Sequence, residues 1–337
     1  MLIKRIGIDL GTANSLVYLE NKGIVLNEPS VVAVTLEDQR VVAVGDEAKK
    51  MLGRTPGNIV AKRPMRDGVI ADYMITEAML RYFLKKVYGG ISGFPLFKPE
   101  VMICIPAGCT QVEGRAVEDA ALSAGAKSVY LIHEPLVAAI GAGISIGEAS
   151  GNMVVDVGGG AAEAAVLSLG GVVTHKSVRV AGNKLDDAIS NWVRRQHGLI
   201  IGETTAETVK IKISSATKVK DNKKMTVKGR DSISGLPKKI ELTTNETVEA
   251  MHQSLMQIVS VVKGVLEEIP PELASDIIDK GIVMTGGSSQ LKNFDKLLAG
   301  QIGVPCYVAE EAIYCVAKGT GVVLENLDLY KRSITRR

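Results

Sequence analysis

The chain has 337 residues, 46% of them hydrophobic and only 4% aromatic, and its 40 Lys and Arg nearly balance 37 Asp and Glu for a net charge of +3. That length and apolar content suit two domains of α/β type rather than one core or a β-sandwich, and the near-neutral charge excludes a general electrostatic attraction to nucleic acid. Cys104, Cys109, Cys306 and Cys315 lie mostly in apolar runs without CxxC spacing, the usage of buried thiols in a reducing compartment. With no leader-peptide architecture and no apolar run of membrane-spanning length, the expected location is the cytoplasm.

Short strands are expected over residues 2–10, 15–20, 24–26, 31–35 and 41–44, separated by Gly, Asn and Pro turns. A short helix over 46–52, a loop over 53–58 and the basic stretch 62–66 read as a small insertion. Thr76, Met79, Leu80, Phe83 and Leu84 share one face of an amphipathic helix that ends at Gly89-Gly90. A strand over 101–105, a helix over 111–124, a strand over 128–132 and a helix over 135–143 continue a βαβα rhythm. Strands at 153–157, 164–168 and 172–174 restart the opening pattern, which implies an internal duplication. Helices over 185–197 and 203–213, strands near 225–228 and 239–243, a helix over 247–268, a strand over 281–285 and a helix over 310–325 complete the reading. The Lys-rich stretch 218–230 marks a second insertion.

The two starting points of this pattern resemble each other closely. Ile6-Gly7-Ile8-Asp9-Leu10-Gly11-Thr12-Ala13-Asn14-Ser15 and Val154-Val155-Asp156-Val157-Gly158-Gly159-Gly160-Ala161-Ala162-Glu163 are both apolar strands that end in an aspartate and run into a glycine turn. Glycine lets backbone N–H groups close on phosphate oxygens, and an aspartate at a strand end can hold water-coordinated Mg²⁺. Asp9 and Asp156 are therefore the candidate metal carboxylates. Gly11, Thr12, Ala13 and Asn14, with Gly158, Gly159 and Gly160, are the candidate phosphate cradle. Two such turns facing each other would clamp a nucleotide.

Five segments in this order resemble the ATPase core shared by actin, sugar kinases and Hsp70-type chaperones: residues 7–15, the helix after Glu134, residues 156–163, residues 285–289, and a closing helix with Ala317-Lys318-Gly319-Thr320-Gly321. Within that superfamily the chain is most similar to the MreB family of bacterial actin homologues, through Gly45-Asp46-Glu47-Ala48, Gly53-Arg54-Thr55-Pro56-Gly57-Asn58, Arg66-Asp67-Gly68-Val69-Ile70-Ala71-Asp72 and Ile140-Gly141-Ala142-Gly143. The resemblance implies an actin-like α/β fold with ATP or ADP and Mg²⁺ in a central cleft. It divides the chain into subdomains IA (1–32, 67–143 and 310–337), IB (33–66), IIA (144–182 and 245–309) and IIB (183–244).

The same resemblance implies a head-to-tail homopolymer of paired protofilaments on the inner face of the cytoplasmic membrane, governing cell shape or motility. Other family paralogues and membrane shape proteins are possible partners, and nucleic acid is not one. It places Glu207 and Lys210 beside the adenosine, although a solvated ion pair between them is an equally good reading of their spacing. It also places Gly286, Gly287 and Ser288 against the adenine and makes Glu134 the carboxylate that orients the attacking water. Family members usually carry two threonines after the three glycines, the first of which helps position the water, whereas this chain has Ala161 and Ala162; His133 stands where a second acid is common. Slow ATP hydrolysis with nucleotide binding retained is the expectation. Phe94, Leu96 and Phe97 in a Gly- and Pro-rich loop match the family's membrane-insertion loop, with burial in a neighbouring groove as the alternative. The basic segment 329–337 is a further lipid-facing candidate or a plain solvated tail. A non-polymerising ATP-binding regulator of such filaments is the alternative function.

Overall fold

The computed structural model describes residues 5–88 and 98–336. The chain opens with a meander of β1 (Arg5–Leu10), β2 (Asn14–Leu19) and β3 (Gly23–Pro29). A small sheet follows, made of β4 (Val32–Thr35), β5 (Val41–Val44) and, after α1 (Asp46–Met51), β6 (Ile59–Lys62). The two-stranded ribbon β7 (Met65–Arg66) and β8 (Val69–Ile70) returns the chain to α2 (Tyr73–Tyr88). In α2 the face carrying Thr76, Met79, Leu80, Phe83 and Leu84 is buried, as its spacing requires. Then come β9 (Glu100–Ile105), α3 (Gln111–Ala124), β10 (Ser128–His133) and α4 (Glu134–Gly141). Thr110 and Glu113 form a reciprocal capping box at the start of α3.

The second half begins with β11 (Asn152–Val157), β12 (Ala162–Ser168) and β13 (Gly171–Val178), followed by α5 (Gly182–His197), β14 (Leu199–Ile200) and α6 (Glu203–Ile213). A hairpin of β15 (Lys224–Asp231) and β16 (Pro237–Thr243) pairs with β14 as a separate three-stranded sheet. The chain closes through α7 (Thr244–Leu266), α8 (Pro271–Lys280), β17 (Ile282–Thr285), α9 (Phe294–Ile302), β18 (Cys306–Val308), α10 (Cys315–Glu325) and β19 (Ile334–Arg336).

Strand order establishes the duplication. The first large sheet runs β3-β2-β1-β9-β10-β19 and the second runs β13-β12-β11-β17-β18. In each, an antiparallel meander joins two parallel strands through its first member, β1 to β9 in one sheet and β11 to β17 in the other. Asp9 and Asp156 therefore occupy equivalent strand ends.

Several expected boundaries shift for local reasons. The last helix begins at Cys315 rather than 310, because Glu311 takes a left-handed φ of 49° and a 3₁₀ turn at Ala312–Tyr314 intervenes. Residues 294–308, between the expected strand and the expected last helix, form α9 and β18. The basic segment at the C-terminus is not simply a solvated tail, since Ile334 to Arg336 pair antiparallel with β10. Cys104, Cys306 and Cys315 are buried thiols while Cys109 is partly exposed. Phe94, Leu96 and Phe97 lie outside the described residues. Among the described residues no helix is long and apolar enough to cross a membrane.

Candidate functional site

The turns after β1 and β11 meet across a cavity of about 580 Å³ that lies between the two large sheets. Every candidate residue other than the three on the apolar loop lines it: Asp9, Gly11, Thr12, Ala13, Asn14, Glu134, Asp156, Gly158, Gly159, Gly160, Glu207, Lys210, Gly286, Gly287 and Ser288.

Both glycine turns have their carbonyls tied back into the protein. Ser30 donates from Oγ to the Gly11 carbonyl at 2.6 Å and from its backbone N–H to the Ala13 carbonyl at 2.9 Å. In the second turn the Gly158 carbonyl accepts from Gly182 N–H at 3.2 Å and from Ser288 Oγ at 2.7 Å, and the Gly159 carbonyl accepts from Asn183 N–H at 2.8 Å. With their negative ends engaged elsewhere, these turns suit an anion at the cavity side. The loops also touch: the Thr12 hydroxyl accepts from Gly68 N–H at 3.0 Å. A Cβ on Gly160 would lie 2.8 Å from that same nitrogen, so only glycine closes the junction.

Two carboxylates occupy the floor. Asp156 is 6% exposed and accepts from the Thr285 hydroxyl at 2.7 Å, a contact set by the parallel register that pairs Asp156 with Thr285. Burial, and then the nearby charge of Asp156, push the Asp9 carboxyl up to about 7. Neither aspartate is ion-paired among the described residues, and no group of three or more His, Cys, Asp or Glu forms a complete metal shell there. A hydrated cation completed by ligand phosphates fits this pair, since Mg²⁺ keeps several waters and takes only one or two protein carboxylates.

Glu134, the first residue of α4, faces the same floor, and burial with the negative charges of Glu163, Asp9 and Asp156 holds its carboxyl well above the usual range. Glu163 accepts from Ala107 N–H at 3.1 Å, and burial pushes it up to about 7. Ala161 and Ala162 put methyl groups, without hydroxyls, between Gly160 and Glu163.

At the other end of the cavity the two α6 candidates are engaged, but not with each other. Lys210 Nζ donates to Asp186 Oδ2 and to the Gly182 carbonyl, each at 2.8 Å, while Glu207 is paired with Lys49 Nζ at 2.9 Å. Asn14 Nδ2 donates to Asn27 Oδ1 at 2.8 Å, so part of its donor capacity is already committed. Gly286 has a φ of 82°, and a Cβ there would run into the Val157 backbone, so the strand end crowds this glycine. Asp186 and Ser30 carry no motif in the sequence, and Thr285 lies in the 285–289 segment without a role of its own assigned there. Only Thr285, which immediately precedes Gly286-Gly287, carried a local signal.

A family model described as MreB/Mbl protein matches residues 3–332. The cell shape-determining protein Mbl of Bacillus subtilis is 50% identical over 336 residues, covering 99% of this chain and 100% of that protein. The cell shape-determining protein MreB of Escherichia coli is 50% identical over 334 residues, covering 98% and 96%. Among solved structures, MreB5 of Spiroplasma citri bound to ADP superposes with a TM-score of 0.91 at 34% identity, covering 98% of each chain. A structure of the same protein bound to AMPPNP matches equally well. The MamK double helical filament matches with a TM-score of 0.80 at 20% identity, a likeness of fold alone.

Proposed function

The chain belongs to the MreB/Mbl family, and from that premise we propose that it is an actin-like cytoskeletal ATPase that binds ATP and Mg²⁺ in its central cleft and polymerises head to tail to govern cell shape or motility. Its fold is the actin-like ATPase fold. The observation that carries the reading is the symmetric pair of glycine turns, each with its carbonyls tied back and each following a strand-end aspartate, lining one cavity with Glu134.

In this reading Gly11, Thr12, Ala13 and Asn14, with Gly158, Gly159 and Gly160, bind the phosphates through backbone N–H groups. Asp9 and Asp156 would hold Mg²⁺, which when bound would supply charge neutralisation at the phosphates. Glu207 and Lys210 border the adenosine, and Gly286, Gly287 and Ser288 back the adenine. Glu134 orients the attacking water and accepts its proton, a task that requires its raised carboxyl to be ionised once positive charge has entered the site. The missing hydroxyl at Ala161 slows this step, because a single lost positioning donor costs about 10–10³-fold in rate.

The working division is IA (1–32, 67–143, 310–337), IB (33–66), IIA (144–182, 245–309) and IIB (183–244). Self-association is the principal partnership, as the filament-forming fold relative supports. Attachment at the inner face of the cytoplasmic membrane, through Phe94, Leu96 and Phe97 or the basic C-terminal segment, is the finer part of the proposal. Ultracentrifugal pelleting with phosphate release read in the same tube, with ATP, ADP or no nucleotide, tests the function. ATP-dependent pelleting with slow phosphate release supports it. Nucleotide binding without pelleting under any condition replaces it with a non-polymerising regulator.

A further inference from the structure

Two ion pairs, one of them on the cavity-lining Glu207, join parts of the chain far apart in sequence. Lys49 on α1 meets both carboxylate oxygens of Glu207 on α6, at 2.9 Å and 3.1 Å. Arg63, the residue after β6, meets Glu203 Oε1 at 2.6 Å from Nε and 2.5 Å from its terminal nitrogen. Glu203 and Glu207 stand four residues apart on one face of α6, so a single helix presents both acids to the small β4–β6 sheet. The β7–β8 ribbon that follows that small sheet is tied to the first glycine turn, where Gly68 N–H donates to the Thr12 hydroxyl.

We propose that these two pairs are a latch that holds the small β4–β6 subdomain down on α6 and sets the rate at which nucleotide leaves the cleft. The inference rests on the nucleotide-cleft reading above. Three observations carry it. Both cations come from the small sheet's own elements, and neither Lys49 nor Arg63 lines the cavity, so they act on closure rather than on ligand contact. Glu207 does line the cavity, so the Lys49–Glu207 pair bears on a cavity residue. The Lys49–Glu207 side chains are 30% and 24% exposed, and Arg63 is 16% exposed against 46% for Glu203, so the first pair is shielded from solvent more than the second. Lids of this kind commonly make release, rather than chemistry, the slow step.

The test is release of a fluorescent N-methylanthraniloyl-ATP in stopped flow, on full-length protein held below the concentration at which it pellets. Combined Lys49→Ala and Arg63→Ala should speed release about 5–20-fold at low salt. Raising salt from about 50 mM to about 500 mM should speed release from the parent and leave the variant nearly unchanged. Exchanging one pair, Arg63→Glu with Glu203→Arg, should return release to within about twofold of the parent, whereas Arg63→Glu alone should not. Release from the double alanine variant within about twofold of the parent overturns the latch. Should the parent retain no ATP analogue, the nucleotide reading fails, and the latch is then decided without ligand by small-angle X-ray scattering. A larger radius of gyration for Lys49→Glu with Arg63→Glu keeps it, and an unchanged one overturns it.

Discussion

The Thr285 hydroxyl donates to Asp156 Oδ1 at 2.7 Å, across parallel strands whose register places these two residues side by side. This bond lowers the Asp156 carboxyl against the larger, opposite effect of burial, so it helps keep a metal-facing carboxylate ionised. Thr285→Val removes the donor at nearly constant volume. A hydrogen bond to a charged group contributes about 1.5–3 kcal/mol, so Mg²⁺-dependent nucleotide affinity should fall roughly 10-fold or more. Isothermal titration at neutral pH, with and without Mg²⁺, reads this directly. An equal loss in both conditions would show that the hydroxyl serves the fold and not the cation.

Ala161→Thr should restore a hydroxyl beside the lytic water and raise single-turnover phosphate release by about 10–10³-fold, with nucleotide affinity changed little. In the parent, Glu134→Gln should alter an already slow rate only modestly, while in the Ala161→Thr background the same change should abolish most of the gain. Independent, multiplicative effects of the two substitutions would mean that Glu134 and the residue at 161 do not address one water.

The parts of this fold that were legible in the sequence are those with local cause. The helices Gln111–Ala124 and Glu203–Ile213 could be bounded to the residue because a Thr110 cap and Gly125 frame one, and Gly202 and Ser214 frame the other. The glycine turns were legible because their chemistry repeats in the chain itself. What escaped depends on tertiary placement. The short strand Cys306–Val308 exists because it pairs with Ile282–Thr285, and Ile334–Arg336 because it finds the open edge of Ser128–His133. Glu207 and Lys210 illustrate the limit most sharply. Their spacing permits an ion pair, yet each has a better partner, Lys49 and Asp186, supplied from distant segments.

Lys210 and Asp186 offer a stability test. The side chains are 14% and 6% exposed, and the carboxyl is pushed up to about 6 because burial outweighs the attraction of Lys210. Breaking such a pair from one side leaves a buried charge and costs about 3–5 kcal/mol at most, less here because Lys210 retains some solvent. Lys210→Met alone should lower the urea midpoint of the ligand-free protein clearly. Lys210→Met with Asp186→Leu should recover most of that loss, since an apolar pair of similar size often replaces a buried ion pair without penalty. If the double variant is as unstable as the single one, the pair is required by its surroundings and not merely by its own charges.

The carboxyls of the cleft floor predict an unusual pH response. Asp9 and Glu163 are raised to about 7 and Asp186 to about 6, mainly by burial, and Asp156 and Glu134 are raised as well. A group whose folded value lies above its unfolded one binds more protons in the native state, so stability falls as pH rises between the two values. For these residues that window runs from about 4 to about 7. Half-buried acids such as Asp231, Glu113 and Glu246 are lowered by hydrogen bonds, and they remove stability only as pH falls below the ordinary carboxylate range. The ligand-free protein should therefore be most stable at the acid end of that window, near pH 4, and lose stability from there towards pH 7.5. The Mg²⁺ ion of a bound Mg²⁺–nucleotide would place positive charge beside Asp9 and Asp156 and should flatten that slope, and Asp9→Asn should reduce it in the ligand-free protein. Urea midpoints across this range, with and without ligand, decide the matter: a ligand-free midpoint that rises steadily from pH 5 to 7.5 would mean that these carboxylates are already compensated within the protein and do not await a cation.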